Sequence, residues 1–393
     1  TYHNYANLHI KNGEYTKALE LLDKSLDITE KSLGKTHADY FGRLVRLATC
    51  HYEQQEYLLA QRILDDAKKL QHNVFGDSPH PFIARMLQTQ SEILRRQGRF
   101  AEALEAIDQA IAMKKVIYGK EDHPSVAEAL AEKVKIFHHL EKGIETKLLI
   151  DRTLGIRRKV YGENHPEVSS SIHDLGVYYL DLGQYKDASE QFEQARKITS
   201  LVFGKRHPDY VERTLHLANA RNEHGEYQLA LDLLEEVKGT LPSGNHYLTA
   251  RWLQLQGELQ RRMGQFQTAM DYVNQAIAMK ETIYGRGDHP SVAEALEVQA
   301  KIYDHLDELD KEQIVWERIL KIQHHFYSEQ HPALATTHYD YASLFLRRGE
   351  YAKAAEHLQL SLQITEKNFG KNHTDYFGRL VRLATCHYEQ QEY

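Results

Sequence analysis

The chain has 393 residues, of which 41% are hydrophobic and 27% charged; 49 Lys and Arg stand against 56 Asp and Glu, a net charge of −7. No basic block is present, which excludes a protein that tracks a nucleic-acid backbone, and no apolar run approaches the roughly eighteen residues of a membrane span. The N-terminus lacks a signal-peptide layout, two cysteines cannot build a disulfide framework, and no Gly/Ser-rich linker marks a domain boundary.

Self-similarity dominates the rest. A loop of Gly, two or three polar residues and His, usually followed by Pro, places its histidines at His37, His80, His123, His165, His207, His246, His289, His331 and His373, with spacings of 43, 43, 42, 42, 39, 43, 42 and 42. Six of the eight prolines follow one of them. A fixed period in a helix-rich chain predicts a solenoid in which each unit buries its neighbour's apolar face.

Each period reads as two helices. From Pro166, which suits the first helical position, Ile172, Leu175, Tyr179 and Leu182 form one stripe that ends at Gly183. Tyr185 opens a second, with Ala188, Phe192, Ala195 and Ile198, closed by Phe203–Gly204. Aromatic–Gly closures recur at Phe75–Gly76, Tyr118–Gly119, Tyr161–Gly162, Tyr284–Gly285 and Phe369–Gly370. So short a join folds the two helices back as an antiparallel pair. Ala188 and its equivalents are predicted at the closest approach, where bulk strains the pair.

Two copies depart from the pattern. The fourth has Glu141–Lys142–Gly143 at the turn and Thr146 at the alanine site; the eighth has Asp307–Glu308–Leu309 and Glu312. With the short loop Leu241–Pro242–Ser243–Gly244, these are where packing is expected to change. A longer period overlies the first: QAIAMK at Gln109 returns at Gln275, an offset of 166, and Asp39–Tyr57 returns unchanged as Asp375–Tyr393, an offset of 336. A four-repeat block was copied. Neither end carries a polar capping repeat, so a longer natural protein is expected.

The string Leu175–Gly176, Tyr179, Gly183, Tyr185, Ala188, Phe192, Ala195 resembles a tetratricopeptide repeat signature. So do Tyr5–Ala6, Gly13, Tyr15, Ala18, Leu22; Leu217–Ala218, Gly225, Tyr227, Ala230, Leu234; and Tyr341–Ala342, Gly349, Tyr351, Ala354, Leu358. The 42-residue period with its His–Pro loop is similar to the kinesin light chain kind of array. The resemblance implies an all-α, right-handed superhelical solenoid over residues 1–393, one continuous domain of nine repeats plus one helix of a tenth. It also implies a partner lying along the first helices, on the concave side.

Helical spacing then gives the inward stripe. It holds Arg85, Gln88, Glu92, Arg95 and Arg96 in the third repeat and Arg251, Gln254, Glu258, Arg261 and Arg262 in the seventh. Glu128 and Lys135 follow in the fourth, Glu294 and Lys301 in the eighth. Asn7 and Ile10, Val177 and Leu180, Ser343 and Leu346, Thr49 and Tyr52, and Thr385 and Tyr388 complete it, with Asn4, Asn219 and Asn222 as a sparse asparagine set. Arg85, Arg95, Arg251 and Arg261 are expected to hold an acidic or carboxylate-bearing peptide, oriented by Glu92 and Glu258, with Leu180 and Tyr52 as apolar help. The competing expectation is that Glu92 and Lys135 neutralise each other and hold nothing.

No catalytic constellation is found: no phosphate loop, nucleophile elbow or dinucleotide fingerprint occurs. The loop histidines recur once per repeat and read as structural residues beside helix N-termini. The adjacent pairs His138–His139 and His324–His325 lack the i, i+4 geometry of a zinc helix. Cys50 and Cys386 are one repeat position in two copies, expected small, buried and unpaired in a reducing compartment. The reading is a non-enzymatic, cytoplasmic protein-interaction scaffold that binds a peptide or protein, with no cofactor, metal, nucleic acid or membrane. The alternative is a structural spacer or self-associating repeat superhelix within a larger signalling protein, with end-to-end or superhelical self-association.

Overall fold

The computed structural model describes residues 15–54, 56–97, 99–140, 143–242, 244–284 and 289–391, and residues 2, 5, 6 and 9. Among them are eighteen helices and no strand. After α1 (Tyr15–Leu33), the first helix of each repeat is α2 (Ala38–Glu53), α4 (Pro81–Arg96), α6 (Pro124–His139), α8 (Pro166–Asp181), α10 (Pro208–Glu223), α12 (Tyr247–Arg262), α14 (Pro290–His305), α16 (Pro332–Arg347) and α18 (Thr374–Gln391). Their partners are α3 (Tyr57–Phe75), α5 (Phe100–Tyr118), α7 (Gly143–Tyr161), α9 (Tyr185–Phe203), α11 (Tyr227–Lys238), α13 (Phe266–Tyr284), α15 (Leu309–Phe326) and α17 (Tyr351–Phe369). The helices form two compact units, Thr1–Ile156 and Arg157–Tyr393.

One joint starts the first helices. The loop histidines at residues 37, 80, 123, 165, 207, 246, 289, 331 and 373 accept, through Nδ1, the backbone N–H two residues on, at 3.1–3.2 Å. That satisfies an N–H the helix itself cannot. In most repeats the ring also stacks on the aromatic residue that closes the preceding helix, as in Tyr118–His123 at 3.7 Å and Tyr327–His331 at 3.8 Å between centroids. Gly119 and Gly204 after such aromatics take positive φ, 60° and 80°, which glycine adopts without a Cβ penalty. The structural reading of these histidines is therefore what the fold shows.

The pairs close on small residues, as expected. Ala18, Ala60, Ala103, Ala188, Ala230, Ala269 and Ala354 are buried to 0% or 1%. In the first unit, Phe41, Leu64, Met86 and Ile93 join α2, α3 and α4 into one core, with Phe75 edge-on to Phe41 at 5.1 Å. In the second, Val292, Trp316, Tyr341 and Leu358 do so for α14 to α17.

The irregular copies find local solutions. Glu312 is buried where its equivalents are alanine, and its carboxylate accepts from Trp316 Nε1 at 3.1 Å and pairs with Arg347 on the next repeat. Asp307 takes the turn glycine's place with φ 55°, a region Asp enters at less cost than most side chains. Thr146 is buried at 3%; the turn residues Glu141 and Lys142 and the loop residue Ser243 lie outside the described residues. The 39-residue spacing reflects α11, which has 12 residues where most of its equivalents have 19.

The duplicated segment appears in two settings. In α2, Phe41, Leu44, Val45 and Tyr52 are 0–9% exposed. Their identical counterparts in α18, Phe377, Leu380, Val381 and Tyr388, are 43–68% exposed. Leu47 and Cys50, and likewise Leu383 and Cys386, pack on the preceding repeat in both. Phe41→Ala is expected to cost about 3–5 kcal/mol, while Phe377→Ala changes stability by less than about 0.5 kcal/mol. Chemical denaturation of the two variants checks this; equal losses would contradict it.

Burial pushes the His331 pKa down from 6.5 to about 4, and the pKa values of His80 and His246 fall for the same reason. The capping Nδ1 must be unprotonated, so the folded state favours the neutral ring. The stabilisation is complete above the unfolded value of 6.5 and is lost as the pH falls through about 4. His331→Asn, which keeps a capping acceptor, should lose less stability than wild type between pH 7 and 4. His331→Ala should cost about 1 kcal/mol at pH 7. Urea melts at the two pH values measure both.

Candidate functional site

The predicted stripe lies along the first helices, and its charges are linked from one repeat to the next. In the first unit Arg85 of α4 donates to Glu128 of α6 at 2.9 Å, and Arg95 Nε to Glu132 at 2.6 Å. Arg96 Nε reaches back to the Tyr52 hydroxyl on α2 at 3.4 Å. In the second, Arg213 donates to Ser169 and Ser170 at 2.9 and 3.1 Å, Arg262 to Glu223 at 2.6 Å, and Arg382 to Ser343 at 2.5 Å. Arg251 stands 3.9 Å from Glu212 and 3.5 Å from His216 Nδ1. Each link spans about one repeat of sequence.

These pairings correct the roles expected of individual residues. Arg95 is 5% exposed and Glu132 3%, so Arg95 is a structural ion pair with no face toward solvent for a carboxylate. Burial, the largest single influence, opposes its charge, but Glu132 and Tyr52 together outweigh burial and its pKa rises. Glu258 holds Arg261 at 2.6 Å and Arg262 at 2.9 Å, as the sequence led one to expect. Glu92 does not hold Arg95. It accepts from Gln88 at 3.1 Å, and burial, then the charge of Glu132, raises its pKa. Lys135 is exposed and stands 3.7 Å from Glu132; its charge also favours ionised Glu92.

The remaining positions divide. Arg85 and Arg251 are each about one-third exposed, and Lys301 is exposed beside the half-buried Glu297 and Asp340, whose pKa values burial raises. Leu180 packs partly buried beside Phe192, and Asn219 is half-buried on α10. Asn222 is buried at 2%. Asn4, Asn7 and Ile10 lie outside the described residues.

One cavity of about 260 Å³ opens in the first unit, between the N-terminal halves of α2, α4 and α6 and the end of α5. Arg43, Arg46, Arg85 and Lys114 line it against Asp39 and Glu128. Arg46 and Lys114 were missed from the sequence: Arg46 sits one position beside the stripe, and Lys114 comes from a second helix. Lys114 donates to Gln88 at 2.6 Å and lies 3.5 Å from Glu128. Among the described residues no group of three or more His, Cys, Asp or Glu is placed to hold a metal, and Cys50 and Cys386 are buried and not joined in a disulfide. Among the described residues no helix is long and apolar enough to cross a membrane.

The repeat geometry is that of helix-pair solenoids that bind other proteins. The chain belongs to the tetratricopeptide repeat family: models of that repeat match residues 43–115, 125–200 and 210–282, residues 1–39 and 342–375, and residues 173–245. No curated protein matches the sequence. Among solved structures it is similar to a Rap protein complexed with competence and sporulation factor, at 13% identity over 93% of this chain and 97% of that one, TM-score 0.58. Aspartyl phosphate phosphatase F from Bacillus subtilis follows, at 14% identity over 93% of each chain, TM-score 0.55. The nearly identical tetratricopeptide-like repeats of a Podosopora anserina protein assigned as a kinesin light chain share 25% identity over 52% of this chain and 97% of that one, TM-score 0.43. The first two likenesses show the fold.

The buried pair makes a direct test of which arginines are structural. Arg95→Ala strands Glu132 and is expected to cost about 3–5 kcal/mol. Arg95→Met with Glu132→Leu, which removes both charges, should be closer to wild type than either single change. Denaturant midpoints of the three variants check this; an Arg95→Ala protein as stable as wild type would overturn it.

Proposed function

We propose that this chain is a non-enzymatic protein-interaction scaffold that binds an acidic, extended segment of a partner protein along its first helices. The observation that supports this reading is the division of labour among the arginines. Arg95 is locked in the interior, whereas Arg85 and Arg251 hold equivalent positions, leave about one-third of the side chain exposed, and each stand beside a carboxylate on a neighbouring repeat. An arginine oriented before binding loses less freedom when it takes a carboxylate. The half-buried Leu180 and Tyr179, on a first helix of the second unit, would supply apolar contact to such a segment. Cargo or adaptor recognition of the kinesin light chain kind, in a cytoplasmic setting, is the specific form of this proposal.

Two or three charge-assisted contacts are worth about 1.5–3 kcal/mol each, against an association cost of several kcal/mol, so binding is expected to be weak and to fall with salt. A pool of acidic peptides should bind wild type at low salt. Arg85→Ala with Arg251→Ala should weaken that binding by about tenfold or more, while Lys69→Ala with Lys238→Ala, on second helices, leaves it unchanged. Fluorescence anisotropy reads the affinities. No binding by wild type, or equal binding by the first double variant, would favour the spacer or self-associating scaffold instead.

A further inference from the structure

We propose that the cavity between α2, α4 and α6 is a binding site for a phosphate monoester carried by the partner segment, with Arg46 as its central ligand-binding group; this rests on the peptide-binding reading above. The argument starts from charge. Arg43, Arg46, Arg85 and Lys114 line the cavity against only Asp39 and Glu128. The two carboxylates are already engaged: Asp39 lies 3.5 Å from Arg43, and Glu128 is shared by Arg85 at 2.9 Å and Lys114 at 3.5 Å. Arg46 is half-buried and has no hydrogen-bond or ion-pair partner among the described residues. Burial and then the Arg85 charge oppose its ionised form, and Glu128 offsets them only in part. A guanidinium held in this way lacks a counterion.

The four-repeat duplication supplies an internal control. In the second unit the equivalent residues are Arg213, Arg251 and Lys280 against Asp209, Glu212 and Glu294. Much of the geometry recurs, since Lys280 donates to Gln254 as Lys114 does to Gln88. The balance does not. Glu212 replaces Gly42 and His216 replaces Arg46, and burial and Arg251 push the His216 pKa well down, so that ring is neutral. Three cations meet three carboxylates there, whereas the first unit carries four against two. Gly42 also keeps its side of the site open: a Cβ there would stand 2.7 Å from the Phe82 ring. An excess of two positive charges matches a phosphate monoester, which carries about −1.5 to −2 at neutral pH, better than a single carboxylate. Arg binds such a group through two parallel N–H donors.

The probes are inorganic phosphate, N-acetyl-phosphoserine amide and N-acetyl-glutamate amide, titrated into the full chain and followed by calorimetry and competition. Wild type is expected to bind phosphoserine, to release it to inorganic phosphate, and to bind glutamate about tenfold or more weakly. Arg46→Gln should lower phosphoserine affinity by about tenfold or more while folding normally, because it removes a cation that has no partner. Arg46→Lys should recover only part of it. His216→Gln should change nothing. Phosphoserine binding that is absent, equal to glutamate, or unaltered in a folded Arg46→Gln protein overturns the proposal. In that case acidic peptides that still bind through Arg85 and Arg251 leave the scaffold reading standing, and loss of all peptide binding by wild type removes both.

Discussion

The histidine joint at the start of each first helix sets everything downstream. It ties three features of one loop together: an imidazole Nδ1 that accepts a helix N–H, a ring face stacked on the previous helix's last aromatic, and usually a glycine that turns the chain between them. The cap satisfies a donor that would otherwise cost stability when buried. The stack fixes where the next helix begins relative to the last. Because the same joint recurs, side chains at equal loop distances in successive first helices fall side by side. That is why Arg85 meets Glu128 forty-three residues on and Arg262 meets Glu223 thirty-nine residues back.

With that register fixed, burial decides what each charge can do. Arg95 and Glu132 are both almost fully buried, where an ion pair is held at the expense of desolvation and breaking it leaves a stranded charge. Arg85, at the same first helix but one-third exposed, retains solvent contact. A single stripe read from spacing therefore contains two kinds of arginine, and only their depth separates them. Depth depends on which helix lies next, a property of the stack and not of the helix.

This marks the boundary of what the sequence disclosed. The period, the helix pairs, the aromatic–Gly ends and the alanines at closest approach were legible because each depends on residues within one repeat or its immediate neighbour. The capping role of the histidines was legible only as a structural one; their stack on Tyr118 or Tyr327 needs coordinates. Arg95 was misread because Glu132, its partner, lies outside the stripe on the next first helix. Arg46 and Lys114 were missed because the cavity draws on three first helices and the end of a second one, and no single-helix periodicity connects them. Glu92 was expected to hold Arg95, yet Gln88 on its own helix is its hydrogen-bond partner.

The duplicated block shows how one substitution redirects such a network. Arg95 and Arg261 are the same position in the two copies, as are Glu92 and Glu258, but Glu132 of the first copy is Val298 in the second. With the cross-repeat carboxylate present, Arg95 crosses to it and Glu92 is left to Gln88. With valine there, Arg261 has no partner across the gap among the described residues and folds back onto Glu258 at 2.6 Å, which Arg262 also shares. The second copy thus keeps Arg261 on its own helix, links back to the preceding repeat through Arg262 and Glu223, and buries Val298 at 7% exposure, while the first binds to the following repeat through a buried ion pair. The same logic separates the two cavities, where Arg46 in one and His216 in the other decide whether an unmatched positive charge remains. Divergence at positions that bridge repeats, more than at positions that pack within them, is what gives near-identical helices different chemistry.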